Sequence, residues 1–274
     1  MAERKGHPIA GEGGPESAAN IALGLRQALH TGDRALLGMF ILVPRVEIVE
    51  SIAAADFDLV ILDLEHGPYG PAELLPIVAA AQGAGLFAVV RTRDDDAAQI
   101  ARVLDTGADG VMVPHVTSGE QAARVVGAAR FPPGGERSVN PHVRGLRYVG
   151  DAGAIHRADE RTAVICMIEG VEGLASTQEI AETPGVDAIF IGPVDLSAAL
   201  GVGRPDPEHP KVTAKIQELL ALTADLGVAT GIYAPTSDAG VRWLQLGARL
   251  VVTSVDIAVF GRALRNLRSS LASR

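Results

Sequence analysis

The chain reads as a (β/α)8 TIM barrel, and three observations predict it. Short runs of Val, Ile, Leu and Phe recur at 36–41, 57–64, 86–91, 109–114, 163–169, 187–192, 227–233 and 248–254. Longer Ala/Leu-rich segments at helical period lie between them. Eight such units within 274 residues match the size and count of this barrel.

Each element has a local reason. LLGMFI opens the series, and FDLVILDL, LFAVVR and DGVMVP follow it. These runs are apolar on both faces, as expected of parallel strands covered by helices. PAELLPIVAAAQGAG, DAAQIARVLDTGA and GEQAARVVGAARF supply the helices after the second, third and fourth strands. Several helical segments end in Gly, the residue that stops a helix most readily in the left-handed region. AVICMIE, DAIFIG, GVATGIY and ARLVVTS complete the strands, with VEGLASTQEIAET, PKVTAKIQELLALTADLG and TSDAGVRWLQLGA among the intervening helices. A doubly wound open sheet would carry a Gly-rich phosphate turn after its first strand, and FILVPRVE offers none. The segment 131–161, Gly/Pro/Arg-rich and too polar for core, reads as a long irregular loop of functional or interfacial use. Residues 1–18 read as a disordered tail and 19–274 as one barrel domain.

Composition narrows the function. The net charge is -9 and no Lys/Arg-rich run occurs, which argues against a nucleic-acid partner. No membrane span is expected, because no apolar stretch is long enough to cross a bilayer. The single Cys166 forbids a disulfide framework within the chain, and the N-terminal segment lacks the apolar core of a signal peptide. A cytoplasmic location is the expectation that follows.

Polar residues cluster at the carboxyl ends of the strands, where a barrel carries its site. They are Asp63, Glu65 and His66 after the second run, Arg91 after the third and His115 after the fourth. Glu169 closes the fifth, and Asp195 follows the sixth. Glu169 shares strand parity with Ile165 and Met167, so it faces the barrel interior if they do. Two such carboxylates suit an oxygen-liganded Mg2+, Mn2+ or Co2+. The plainer alternatives are a salt bridge to Glu169 and a helix cap by Asp195. His66 near Asp63 has the makings of an oriented general base, or it is a surface-loop histidine. Arg91 can hold a carboxylate or enolate oxygen with its planar fork, or it reaches to solvent from a strand end. Only three lysines occur, Lys5, Lys211 and Lys215, and none closes a strand. A keto-acid lyase on this scaffold would therefore rely on a metal rather than a Schiff base.

The segments FDLVILDLEHGPYG, VVRTRDDDAAQIARVLDTGADGVMVPHV, RFPPGGERSV, VICMIEGVEGL and DAIFIGPVDLSAALG resemble the HpcH/HpaI family of metal-dependent 2-keto-3-deoxy acid aldolases. The resemblance runs from about residue 35 to residue 262. It implies retro-aldol cleavage of a 4-hydroxy-2-keto acid to pyruvate and an aldehyde, through a pyruvate enolate stabilised by the metal. It further implies Glu169 and Asp195 as metal ligands, His66 with Asp63 as base dyad, and Arg91 on the enolate. Backbone N–H groups around Val194 and Asp195 would hold the pyruvate carboxylate. The implied assembly is a homohexamer, built of dimers that exchange their C-terminal helices, here 256–272.

Two departures bear on the substrate. Met167 stands where the family commonly has Gln, which removes an amide from the substrate pocket. GPYG follows His66 where sugar-acid aldolases tend to carry a more polar segment. Met167, with Arg137, Arg144 and Arg147 placed to meet a polyanion, keeps open a condensing or acyl-CoA lyase of citrate-forming type. A keto-acid-binding barrel without turnover is the remaining alternative.

Overall fold

A computed structural model of the protein describes residues 24–149, 151–203 and 205–272. The expected tail, 1–18, lies outside the described residues. All eight expected strands form: β1 (Leu36–Ile41), β2 (Leu59–Asp63), β3 (Phe87–Arg91), β4 (Gly110–Val113), β5 (Ala163–Ile168), β6 (Ala188–Ile191), β7 (Ala229–Ala234) and β8 (Leu250–Val255). They pair in chain order, and β8 closes on β1. Every pairing is parallel.

Side-chain alternation divides the core in two. One set fills the barrel interior, with Leu59, Ile61, Phe87, Val89, Ile165, Met167, Phe190 and Val252 among its members. The opposite parity packs outward against helices, as Val60 and Leu62 do with Ile77 and Val78. Glu169 therefore shares the inward parity expected from Ile165 and Met167.

The described helices are α1 (Leu25–Thr31), α2 (Val46–Ala53), α3 (Pro71–Gly83), α4 (Ala97–Asp105), α5 (Gly119–Ala129), α6 (Ala152–Arg161), α7 (Val171–Ala175), α8 (Thr177–Ala181), α9 (Pro193–Ala199), α10 (Pro210–Asp225), α11 (Ser237–Gln245) and α12 (Asp256–Ala272). Leu25, Ala28 and Leu29 of α1 join the interior cluster, so this helix plugs the N-terminal end of the barrel. Side chains of Asp96, Ser118, Asp151 and Thr236 accept from first-turn N–H groups and fix where α4, α5, α6 and α11 begin.

Asp58, Asp109 and Asp187 immediately precede β2, β4 and β6. Their carboxylates accept from the backbone N–H of Leu37, Ala88 and Val164 on the preceding strands. Polar anchors thus organise the end away from the strand termini that build the site.

The segment 131–161 departs from the expected loop. Its last third is α6, a helix of mixed polarity started by Asp151. The rest is pinned by Arg137, which is buried, stacks over the Phe131 ring at 4.4 Å and bridges to Asp105 at 2.7 Å. The reach of Arg137, Arg144 and Arg147 toward a substrate is corrected by topology. These residues line a cavity with Asp109 and Thr162, which stand just before β4 and β5, at the barrel end opposite the strand termini.

Candidate active site

The register of β2 on β3 places Asp63 beside Arg91. Both are buried, and the pair is two-pronged: Nε meets Oδ1 at 2.9 Å and Nη2 meets Oδ2 at 2.6 Å. The third guanidinium nitrogen, Nη1, lies 2.9 Å from Glu65 Oε2 and 3.9 Å from Met167 Sδ. The Phe40 ring covers the guanidinium at 4.8 Å. Burial by itself would lower the proton affinity of Arg91, but Asp63, Glu65 and Glu169 reverse that and raise it. Arg91 is a fixed, permanently charged fork rather than a solvent-seeking strand end.

Tyr69 braces this arrangement from behind. Its buried hydroxyl accepts from the Asp63 N–H at 2.7 Å and donates to the Ile41 carbonyl at 2.8 Å. The phenol thus links β1 and β2 just past their last pairing, Ile41 with Leu62. Burial pushes its proton affinity up, so it stays a donor. The departure in GPYG serves the barrel at this residue.

Glu169 follows β5 and is buried. Its Oε1 accepts from the His115 N–H at 3.0 Å and lies 2.9 Å from His115 Nδ1. His115 also reaches Glu65 Oε1 with Nε2 at 3.0 Å, and adopts a left-handed backbone with φ of 54°. Burial raises the carboxyl proton affinity of Glu169; His115 opposes this, and Glu65 and Asp195 reinforce it. Asp195 lies in the first turn of α9, behind Gly192 and Pro193. Gly192 has a steric reason: a Cβ there would stand 2.7 Å from Met167 Cε and 2.8 Å from Glu169 Oε2. The glycine keeps the second oxygen of Glu169 uncovered toward α9.

The expected dyad takes a different form. Asp63 Oδ1 accepts from the backbone N–H of Glu65 at 3.1 Å and of His66 at 3.3 Å, besides holding Arg91. The His66 ring is 63% exposed and has Glu65 Oε2 at 3.9 Å. Asp63 therefore meets His66 through the main chain, because Arg91 already occupies its carboxylate. Glu65 and His115 were singled out in sequence only as strand-end polar residues. Structure joins them with Glu169 in a group whose ligand atoms lie within 4.8 Å of one another.

The donor set fits a divalent cation. Carboxylates of Glu65 and Glu169 converge, and Glu65 Oε2 is buried without a hydrogen-bond partner despite its closeness to Arg91. Repulsion among Glu169, Glu65 and Asp195 is what a bound cation would relieve.

A closed parallel barrel with a carboxylate-rich mouth around one clamped arginine suits a lyase of the keto-acid type. The chain belongs to the HpcH/HpaI aldolase/citrate lyase family, whose model matches residues 36–263. It is 37% identical over 243 residues to a hydroxypyruvate/pyruvate aldolase of Pseudomonas aeruginosa, covering 88% of this chain and 90% of the relative. Among solved structures, an HpcH/HpaI family protein of Burkholderia cenocepacia superposes with a TM-score of 0.85 at 32% identity, covering 90% and 98% of the two chains. The citrate synthase SbnG superposes at 0.80 with 31% identity, covering 92% and 97%.

Proposed function

We propose that this protein is a divalent-metal-dependent aldolase that cleaves a 4-hydroxy-2-keto acid to pyruvate and an aldehyde. The observation that carries this reading is the Arg91 fork, immobilised by Asp63 beside the half-buried carboxylate of Glu65 and the buried one of Glu169. A divalent cation, Mg2+, Mn2+ or Co2+, held by Glu169 and Asp195 would polarise the 2-keto carbonyl and favour negative charge on its oxygen.

The chain's own residues supply the rest. Arg91 presents Nη1 toward Met167 and the site, and its charge stabilises the oxygen that becomes anionic as the C3–C4 bond breaks. Because Asp63 fixes two of its nitrogens, little reorganisation accompanies that step. His66, exposed at the mouth, takes the proton of the C4 hydroxyl. The turn through Asp63 fixes the backbone of His66 while leaving the ring able to reach substrate. Backbone N–H groups of Val194 and Asp195, in the first turn of α9, hold the keto-acid carboxylate. Met167 walls the pocket with a thioether, so the pyruvyl fragment rests on the metal and Arg91 without the polar contact of an amide. The relative named a hydroxypyruvate/pyruvate aldolase supports this choice of substrate class.

The exposed face of α12 supports an assembly by helix exchange. Ile257, Phe260, Leu264, Leu267 and Leu271 on this terminal helix are exposed, a face that exchange between subunits would cover. We place the helix in a homohexamer of exchanged dimers, in a cytoplasmic setting. Among the described residues no helix is long and apolar enough to cross a membrane. Burial pushes the Cys166 thiol up to about 12, which makes it an inert core residue.

Release of pyruvate from a 4-hydroxy-2-keto acid, with EDTA and with each metal restored, tests the reading. Activity abolished by EDTA and recovered with metal is expected; undiminished activity in EDTA overturns the metal role. Likeness to a citrate synthase favours one second reading, condensation of a keto acid with a non-aldehyde electrophile. Coenzyme-A-dependent turnover, in the absence of aldol cleavage, would select it.

A further inference from the structure

The arginines of the 131–161 segment take no part in the chemistry at the barrel mouth. They line a cavity of about 570 Å3 at the N-terminal ends of β4 and β5, within the range of small-molecule sites. We propose that this cavity binds a small dianionic oxyanion, a phosphate group or a short dicarboxylate.

Charge is the first argument. Arg137, Arg144, Arg147, Arg157 and Arg161 line the cavity, and Asp109 is its one lining carboxylate among the described residues. Asp105 pairs with Arg137, and Asp151 approaches Arg157 to 3.7 Å. The lining itself carries five arginines to one aspartate, an excess of positive charge that an oxyanion would offset. Asp109 Oδ2 accepts from Gln82 and the Ala88 N–H, and Arg161 and Arg144 act on this carboxylate electrostatically.

The second argument is an orphan donor. Arg137 is 4% exposed, yet its Nε has no hydrogen-bond partner. A buried guanidinium N–H without an acceptor is costly, and the arginine that carries it lines this cavity.

Local backbone keeps the cavity open. A Cβ on Gly107 would stand 2.6 Å from Arg144 Nη1, and one on Gly145 would stand 2.4 Å from the Leu104 carbonyl and 3.3 Å from Arg137 Nη2. Glycine at both positions lets two guanidiniums approach from opposite walls. Arg147 and Tyr148 then turn the chain over the cavity with successive positive φ values of 54° and 60°. Non-glycine residues in that region carry strain, which concentrates at binding sites.

Calorimetric titration of the full chain with inorganic phosphate, and separately with succinate, tests the proposal. Saturable binding is expected for at least one probe with Kd about 1 mM or tighter. The better probe tells phosphate from dicarboxylate recognition. An Arg144→Gln, Arg147→Ala double variant should weaken binding at least about tenfold, whereas Arg91→Lys should leave it unchanged. Arg147→Ala alone, with a smaller loss, serves if the double variant does not fold. No saturation by either probe overturns the proposal, as does binding that survives in the cavity variant or disappears in Arg91→Lys. None of these outcomes reads turnover, so the aldolase reading stands or falls separately.

Discussion

At the mouth of the barrel one buried guanidinium, Arg91, stands among Asp63, Glu65 and Glu169, with Asp195 close by. At the opposite end five arginines share a cavity in which Asp109 is the one lining carboxylate among the described residues. A chain of net charge -9 thus concentrates positive charge away from its acidic strand termini. The mouth needs a cation and the base an anion. In the first, burial and the neighbouring Glu65 and Asp195 hold the Glu169 proton affinity up against His115; in the second, a buried N–H lacks an acceptor.

The largest effect that would break this contrast is at Glu169. Glu169→Gln keeps the shape but removes a buried charge, and divalent affinity should fall by more than about 10²-fold, beyond what loss of an outer partner costs. Asp195→Asn should weaken binding in the same direction. Titration with Mn2+ checks both, with circular dichroism as control for folding. Unchanged affinity in both variants would mean that the mouth does not hold a cation through these residues.

His66→Ala should lower kcat by roughly 10²–10⁴, the range of a positioned acid–base group, with little change in KM. The exposed ring makes few packing contacts, so stability should hold. A kcat near wild type at neutral and alkaline pH would assign the proton transfer elsewhere, and His115 would be examined next. Arg91→Lys keeps charge but loses the fork on Asp63. Deuterium exchange into the methyl group of pyruvate should slow markedly; rapid exchange would free Arg91 from the enolate.

These effects also mark how far sequence could be read. Eight strands were legible because each is apolar on both faces, a pattern that survives without knowledge of neighbours. Glu169 and Arg91 stood out for the same reason, as charged residues closing apolar runs. Partnerships were harder to see. Asp63 is read beside His66 in the sequence, and the register of β2 on β3 adds a partner that the sequence does not show, Arg91, 28 residues away. Helix α6 was missed because AGAIHRADER has little apolar surface and takes its start from Asp151. Arg137 looked like a loop cation; its burial depends on Phe131 and Asp105, and the second of these belongs to α4.

Met167→Gln is a smaller change that sharpens the picture of the mouth. Glutamine has similar length and shares the wall with Glu169 and Arg91 Nη1. A recovered hydrogen bond to a charged group is worth about 1.5–3 kcal/mol, or roughly ten- to a hundredfold in rate if expressed in the transition state. Steady-state cleavage with a simple hydroxyaldehyde product measures it. Loss of native turnover with no aldol gain would instead favour the condensing reaction.

The smallest expected effect lies at the other end, and tests whether the two charge fields act apart. Arg144→Ala removes a hydrogen bond from Nη1 to the Thr106 carbonyl at 3.1 Å and one of the cavity's positive charges. Thermal unfolding should report a loss of about 1 kcal/mol, the usual net worth of such a bond. Turnover should not move. The four residues of β4 separate the cavity from the mouth by about 13 Å, at 3.3 Å per residue. That exceeds the Debye length of about 8 Å at physiological salt, so field lines through solvent are screened before they reach Arg91. The interior path is less screened, and for that reason measurement at low and high salt is informative. A kcat that changes in Arg144→Ala at both salts would show the ends coupled through the barrel interior. A change confined to low salt would be long-range solvent electrostatics, and an unchanged kcat at both leaves the two ends independent.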